Sequence, residues 1–238
     1  MFFRSLVLLI IVLTTTDLYA QLSRNDSRIN DAYTDLTNRI KPTKFDEINS
    51  SIEGSPYFDS KFHESTVVYF GKELKEKIFL RYNAFSDELE MSTSANAKSS
   101  EQALMKNNKI YCKINNMVYK YFPLKNGNEL LGRAGYVREI YRGDNFSLYH
   151  RKRKIFREGK KARTSLERSF PPRFVDEKEW YLQKGEYSLE YLKLNKKHLK
   201  SQLDLDAKQL DSYLKKNKNA LKSEKELKRL VEFFDTNN

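Results

Sequence analysis

Apolar residues along this chain recur at intervals of two through its middle and at helical intervals chiefly toward its ends. Ile78, Leu80 and Tyr82 share one side of an extended segment, and beyond Asn83-Ala-Phe-Ser86 so do Leu89 and Met91, which predicts a β-hairpin over 78–91. Ile110, Cys112 and Ile114 alternate with polar neighbours, as do Met117, Tyr119 and Tyr121. Between these runs Asn115-Asn116 supplies two residues that tolerate the positive φ of a two-residue turn. In that register all six apolar positions share a face and Lys113 and Lys120 take the other.

Further strands are expected at 66–70, 136–141 and 146–149, the last two joined by Arg142-Gly-Asp-Asn145, and a hairpin pairs Trp180 to Leu182 with Tyr187 to Tyr191. The Arg-Gly-Asp triplet is also a cell-adhesion signature, but Gly, Asp and Asn are what a tight turn requires. Pro171-Pro172 interrupts the strand pattern. Ser99 to Asn107 reads as a short capped helix.

Helical spacing governs the ends. Ile29, Tyr33, Leu36 and Ile40, between Ser27 and Pro42, predict a short amphipathic helix. Leu210, Tyr213 and Leu214 follow a cap at Asp206; Leu227, Leu230, Val231 and Phe234 follow the capping box Ser223-Glu-Lys-Glu226. A strand with one apolar face needs a second layer. The predicted class is therefore α+β, mainly β: an antiparallel sheet or sandwich of hairpins with a short N-terminal helix and a two- to three-helix C-terminal tail.

The first 20 residues add an address. Arg4 precedes an apolar run from Ser5 to Leu13, and Ala20 offers a cleavage point, the pattern of a secretory signal. The expected organisation is a signal peptide at 1–20, a polar leader with a short helix at 21–54, an antiparallel β domain at 55–192 and a helical tail at 193–238 packed on it. Export to the periplasm, outer surface or medium follows, with no transmembrane span in the mature chain.

The 238 residues are enough for one domain with a substantial core, and 39% hydrophobic content is that of a folding chain. Cys112 is the single cysteine, so neither an internal disulfide nor a Cys-based zinc site can form.

Gly54-Ser-Pro-Tyr57, Leu80-Arg-Tyr-Asn83 leading to Asp87-Glu-Leu-Glu90, Pro172-Arg-Phe-Val175 and the tail ending Leu230-Val-Glu-Phe-Phe234 together resemble an uncharacterised group of exported proteins from Bacteroidota-type bacteria. The resemblance implies an envelope or secreted location and brings no activity, cofactor or functional residue.

A net charge of +12 favours anionic partners. Its densest stretch holds Arg151, Lys152, Arg153, Lys154, Arg157, Lys160, Lys161 and Arg163 against Glu158, in an expected hairpin that turns at Glu158 to Lys161 and returns through Ala162 to Arg168. These eight cations are the candidate anion-binding residues, and Tyr149 and Phe156 are the candidate stacking residues. The same run also reads as carboxylate-paired or as an edge strand protected by its charge.

No catalytic or metal-binding residue is assigned and no cofactor is called. His63, His150 and His198 are scattered, and phosphate-loop and nucleophile-elbow patterns are missing. Asp87, Glu88 and Glu90 are expected on a turn and an outer face. Two readings stay open: an exported structural or interaction module of the bacterial envelope that binds a partner or polymer without catalysis, or an anionic-polymer binder or hydrolase using 151–163.

Overall fold

The computed structural model describes residues 37–39 and 52–237, apart from 101, 127, 128, 165, 186–188 and 219, and gives the backbone alone for 37–39, 126 and 129–133. The chain divides into two compact units, Met1–Asn38 and Arg39–Asn238; of the first, Thr37 and Asn38 are described.

Among the described residues twelve strands and three helices follow one another: β1 (Thr37–Arg39), β2 (His63–Tyr69), β3 (Lys72–Glu73), β4 (Ile78–Asn83), β5 (Glu88–Ser92), β6 (Gln102–Leu104), β7 (Ile110–Ile114), β8 (Met117–Asn126), β9 (Glu129–Arg142), β10 (Phe146–Arg157), β11 (Arg173–Lys184), β12 (Leu189–Tyr191), then α1 (Lys196–Gln202), α2 (Ala207–Lys216) and α3 (Glu224–Thr236). The chain is thus mainly β with helices at its C-terminus, as its periodicity predicts. Two helices expected from sequence are not formed where described. Gln102–Leu104 is a strand paired with β5, because Ser and Asn in 99–107 bond turns more readily than they extend a helix and Ala103 and Leu104 are both buried. Thr37–Arg39 is extended rather than helical; the rest of the expected N-terminal helix, the signal segment and most of the leader lie outside the described residues.

β2 to β12 belong to one sheet. Strands β8, β9, β10, β11 and β12 pair in sequence, each antiparallel to the next, and β12 returns to lie parallel to β8 through Leu189 opposite Leu124. An odd number of meandering strands can close only with one parallel pair, so these five form a small barrel. Leu124, Val137, Tyr149, Tyr181 and Leu189, one from each strand, fill it.

Along one edge of β8, residues 117–120 pair with β7 and residues 124–125 pair with β12. Pro123, which has no N–H to give a ladder, sits where the partner changes. From β7 the sheet runs on through β2, β4 and β5 to β6. At the β7–β8 turn Asn115 and Asn116 have φ 47° and 64°, the left-handed pair that the sequence calls for.

The three helices begin at side-chain caps, Asn195, Asp206 and Ser223, which accept from the backbone N–H of His198, Lys208 and Glu226. Their apolar stripes close over Phe146, Leu148, Leu182 and Leu192. Phe146 and Leu148 alternate with Ser147 and Tyr149, so β10 feeds the helix-covered core on one face and the barrel interior on the other.

Cys112 lies wholly within the layer between β2 and β8, and burial pushes its thiol well above the usual range. A thiol reagent is expected to label it only at the rate of unfolding. Rapid stoichiometric labelling in native buffer would contradict this placement.

Candidate functional site

The β4–β5 hairpin carries its polar residues inward. At its tip Asp87 takes a positive φ of 59°, tolerable for Asp in a tight turn, and its carboxylate reaches Arg151 Nη2 at 2.8 Å. The same guanidinium donates through Nη1 to Glu179 Oε2 at 3.1 Å, which also accepts from the Tyr181 hydroxyl. Tyr82 donates to Asp87 Oδ1 at 2.6 Å. Arg151, directly opposite Glu179 across β10–β11, is 2% exposed. Burial opposes its charge, but the charge and hydrogen bond of Asp87, with Tyr82 and Glu179, together outweigh that and raise its pKa further. A Cβ at Gly135 would stand 2.5 Å from Arg151 Nη2 and 2.6 Å from Asp87 Oδ2, so only glycine lets β9 pass this close to the pair.

A second buried pair lies beside the first. Arg81 donates through Nε to Glu90 Oε2 at 2.6 Å, and Tyr57 and Asn83 hold the other carboxylate oxygen. The Arg81 guanidinium is sandwiched between the rings of Tyr57 and Phe62, 4.3 Å from each centroid. Asp87 and Glu90, expected at the surface, are thus interior anchors. Each carboxylate is committed to an arginine, which suits holding a hairpin in register rather than passing protons.

The basic run is correspondingly divided. Arg151 is inside; Lys154 pairs with Asp176 and Lys160 with Glu167; Arg153 donates to the Phe85 carbonyl. Arg157, Lys161 and Arg163 are exposed toward the far end of the hairpin. The stacking candidates are also spoken for, since Tyr149 is buried in the barrel with its hydroxyl on Gln183, and Phe156 packs edge-on against Phe174. The run is therefore not one cationic face: strand alternation sends Arg151 and Arg153 one way and Lys152 and Lys154 the other. The return strand is Arg173–Lys184, not Ala162 to Arg168, because Pro171 and Pro172 end the connecting loop rather than the hairpin.

Lys152 faces something else, a cavity of about 150 Å³ between β4, β8, β9 and β10 and the 58–63 segment. Tyr82, Met117, Tyr119 and Tyr136 form its apolar wall, and Arg138, His150 and Lys152 bring polar groups to it. Tyr119, Arg138, His150 and Trp180 are successive cross-strand partners in one row. His150 stacks on Trp180, centroids 3.9 Å apart and planes within 4°. Its Nδ1 lies 2.9 Å from Glu224 on α3, and Glu224 also accepts from Arg138. Burial holds the imidazole below its usual range in spite of Glu224, so the neutral ring donates from Nδ1 and leaves Nε2 an acceptor. That buried Nε2 has no hydrogen-bond partner among the described residues.

Sequence reading missed Asp87, Glu179, Arg138 and His150 as members of a site. The signal available was phase: Arg151 falls in step with Ser147 and Tyr149, and His150 with Phe146 and Leu148, on a strand whose two faces are both covered.

No known protein family, curated protein or solved structure matches the chain. Among the described residues, no helix is long and apolar enough to cross a membrane and no group of three or more His, Cys, Asp or Glu could hold a metal ion.

Proposed function

We propose that the chain is an exported binding module of the bacterial envelope, one that holds a partner without chemical turnover. The observation that carries this reading is the internal use of the ionisable residues. Arg151 is taken by Asp87 and Glu179, Lys154 by Asp176 across β10–β11, and Arg81 by Glu90, so groups that could cut or grip a polymer serve to pin strands together. The signal-like segment at 1–20 and the resemblance to exported Bacteroidota-type proteins support the location.

A second reading, an anionic-polymer binder, is favoured by Arg157, Lys161 and Arg163, which stay exposed near one another in sequence. One experiment separates the two. The chain from Gln21 onward, immobilised and exposed to envelope extract at physiological salt, is expected to retain a component saturably. Changing Arg157, Lys161 and Arg163 to Ser should leave retention and its salt dependence as they were. Retention that falls steeply with salt and vanishes in that variant would move the assignment to the polymer.

A further inference from the structure

The cavity beside Lys152 combines an aromatic wall with an unbalanced cation. Across the β10–β11 pair Lys152 lies directly opposite Lys178, two like charges on one face. Nearby carboxylates are engaged elsewhere: Glu224 by Arg138 and His150, Glu90 by Arg81, Asp59 by His63. Among the described residues no carboxylate pairs with Lys152, whose ammonium has the Phe58 ring as its recorded neighbour, 5.8 Å from the centroid. Burial, and then the Arg138 charge, hold it below its usual range against the attraction of Glu224 and Asp176. The Tyr119 hydroxyl, pushed up to about 12 by burial, stays protonated and has no hydrogen-bond partner among the described residues. Tyr82, Tyr136 and Met117 supply the flat apolar and sulfur surface on which an aromatic ring packs well. The orphaned His150 Nε2 belongs to a residue of the same wall, and a buried polar atom without a partner is rare enough in a folded protein to call for a cause.

We propose that this cavity binds a small aromatic carboxylate, its carboxylate on Lys152 Nζ and the Tyr119 hydroxyl and its ring against Tyr82, Tyr136 and Met117. The size excludes a polymer segment, and the mixture of apolar walls with Lys152, and with the exposed Lys61 also on the lining, selects an organic anion over an inorganic one. This deepens the binding-module reading and rests on it.

Trp180 is the single tryptophan in the sequence, and its stacking on His150 makes its fluorescence a reporter of the cavity. Benzoate titrated into the full chain is expected to change that fluorescence saturably, with calorimetry giving the same dissociation constant. Benzamide, which keeps the ring and lacks the charge, and inorganic phosphate, which keeps charge and lacks the ring, should each bind about ten-fold or more weakly. Lys152→Met should weaken benzoate by a similar factor, while Lys152→Arg, with the same near-ultraviolet circular dichroism, retains most of the affinity. Equal binding of benzamide or phosphate, full affinity in Lys152→Met, or no saturable binding by either method would overturn the ligand class. Benzoate recovered chemically altered would instead overturn the binding-module reading.

Discussion

Replacing Arg151 by methionine is expected to cost the fold about 3–5 kcal/mol, the largest effect of any single change in the basic run. The loss does not measure the worth of the ion pair itself. Removing the guanidinium leaves Asp87 and Glu179, both buried, with only neutral donors such as the Tyr82 and Tyr181 hydroxyls and no cation to offset their charge. The midpoint of urea unfolding should therefore fall sharply in Arg151→Met and only slightly in Arg157→Ser, whose side chain is in solvent. Adding Asp87→Asn to the methionine variant should recover part of the loss, since one stranded charge is then gone. Equal midpoints for the Arg151 and Arg157 variants would show that the cation at 151 is not held as described.

Replacing Asp235 by alanine is expected to cost about 3 kcal/mol, through a mechanism the sequence hides. Asp235 sits near the end of α3, yet its carboxylate accepts from the backbone N–H of Asp144, Asn145 and Phe146 and from the Tyr141 hydroxyl, at 2.7–3.0 Å. It is in effect the cap of the β9–β10 turn, supplied from ninety residues away in the chain. A Cβ on Gly143 would stand 1.8 Å from the same carboxylate, which is why glycine occupies the turn. The Arg142-Gly-Asp144 triplet is explained as the wall of this anchor, with its central residue chosen by clearance. In Asp235→Ala the amides of 144–146 should lose hydrogen-exchange protection along with the fall in midpoint, and Asp235→Asn, which keeps one acceptor oxygen, should lose less of both. Unaltered protection of those amides in Asp235→Ala would remove this role.

What could be read from the chain was what its neighbours in sequence decide. Asn115-Asn116 fixes a turn by its own backbone preference, and the alternation of Ile110, Cys112 and Ile114 fixes which side is buried, so that hairpin was legible in full. The caps at Asp206 and Ser223 were legible for the same reason. Barrel closure was not, because it depends on the three residues of β12 meeting β8 some sixty positions earlier, and no local pattern records a parallel contact that short.

The fate of the basic run was lost in the same way. Arg151 looked like one cation of eight, and nothing within a dozen residues announces that its partner is Asp87. The short motifs around 54–57 and 80–90 read differently once placed: Tyr57, Arg81, Asn83 and Glu90 form one buried ion-pair network, and Asp87 is the partner of Arg151 in the other. Those motifs bear on how the hairpin is anchored rather than on chemistry at a surface.

The most direct measurement is a double-mutant cycle between Asp87→Asn and Arg151→Met, read by urea unfolding. If the β4–β5 tip is fastened to the barrel by this contact, the two changes should be strongly non-additive, with a coupling of about 1–3 kcal/mol. Additive losses, agreeing to within about 0.5 kcal/mol, would mean that the two side chains do not meet and that the basic run is free to face a partner after all.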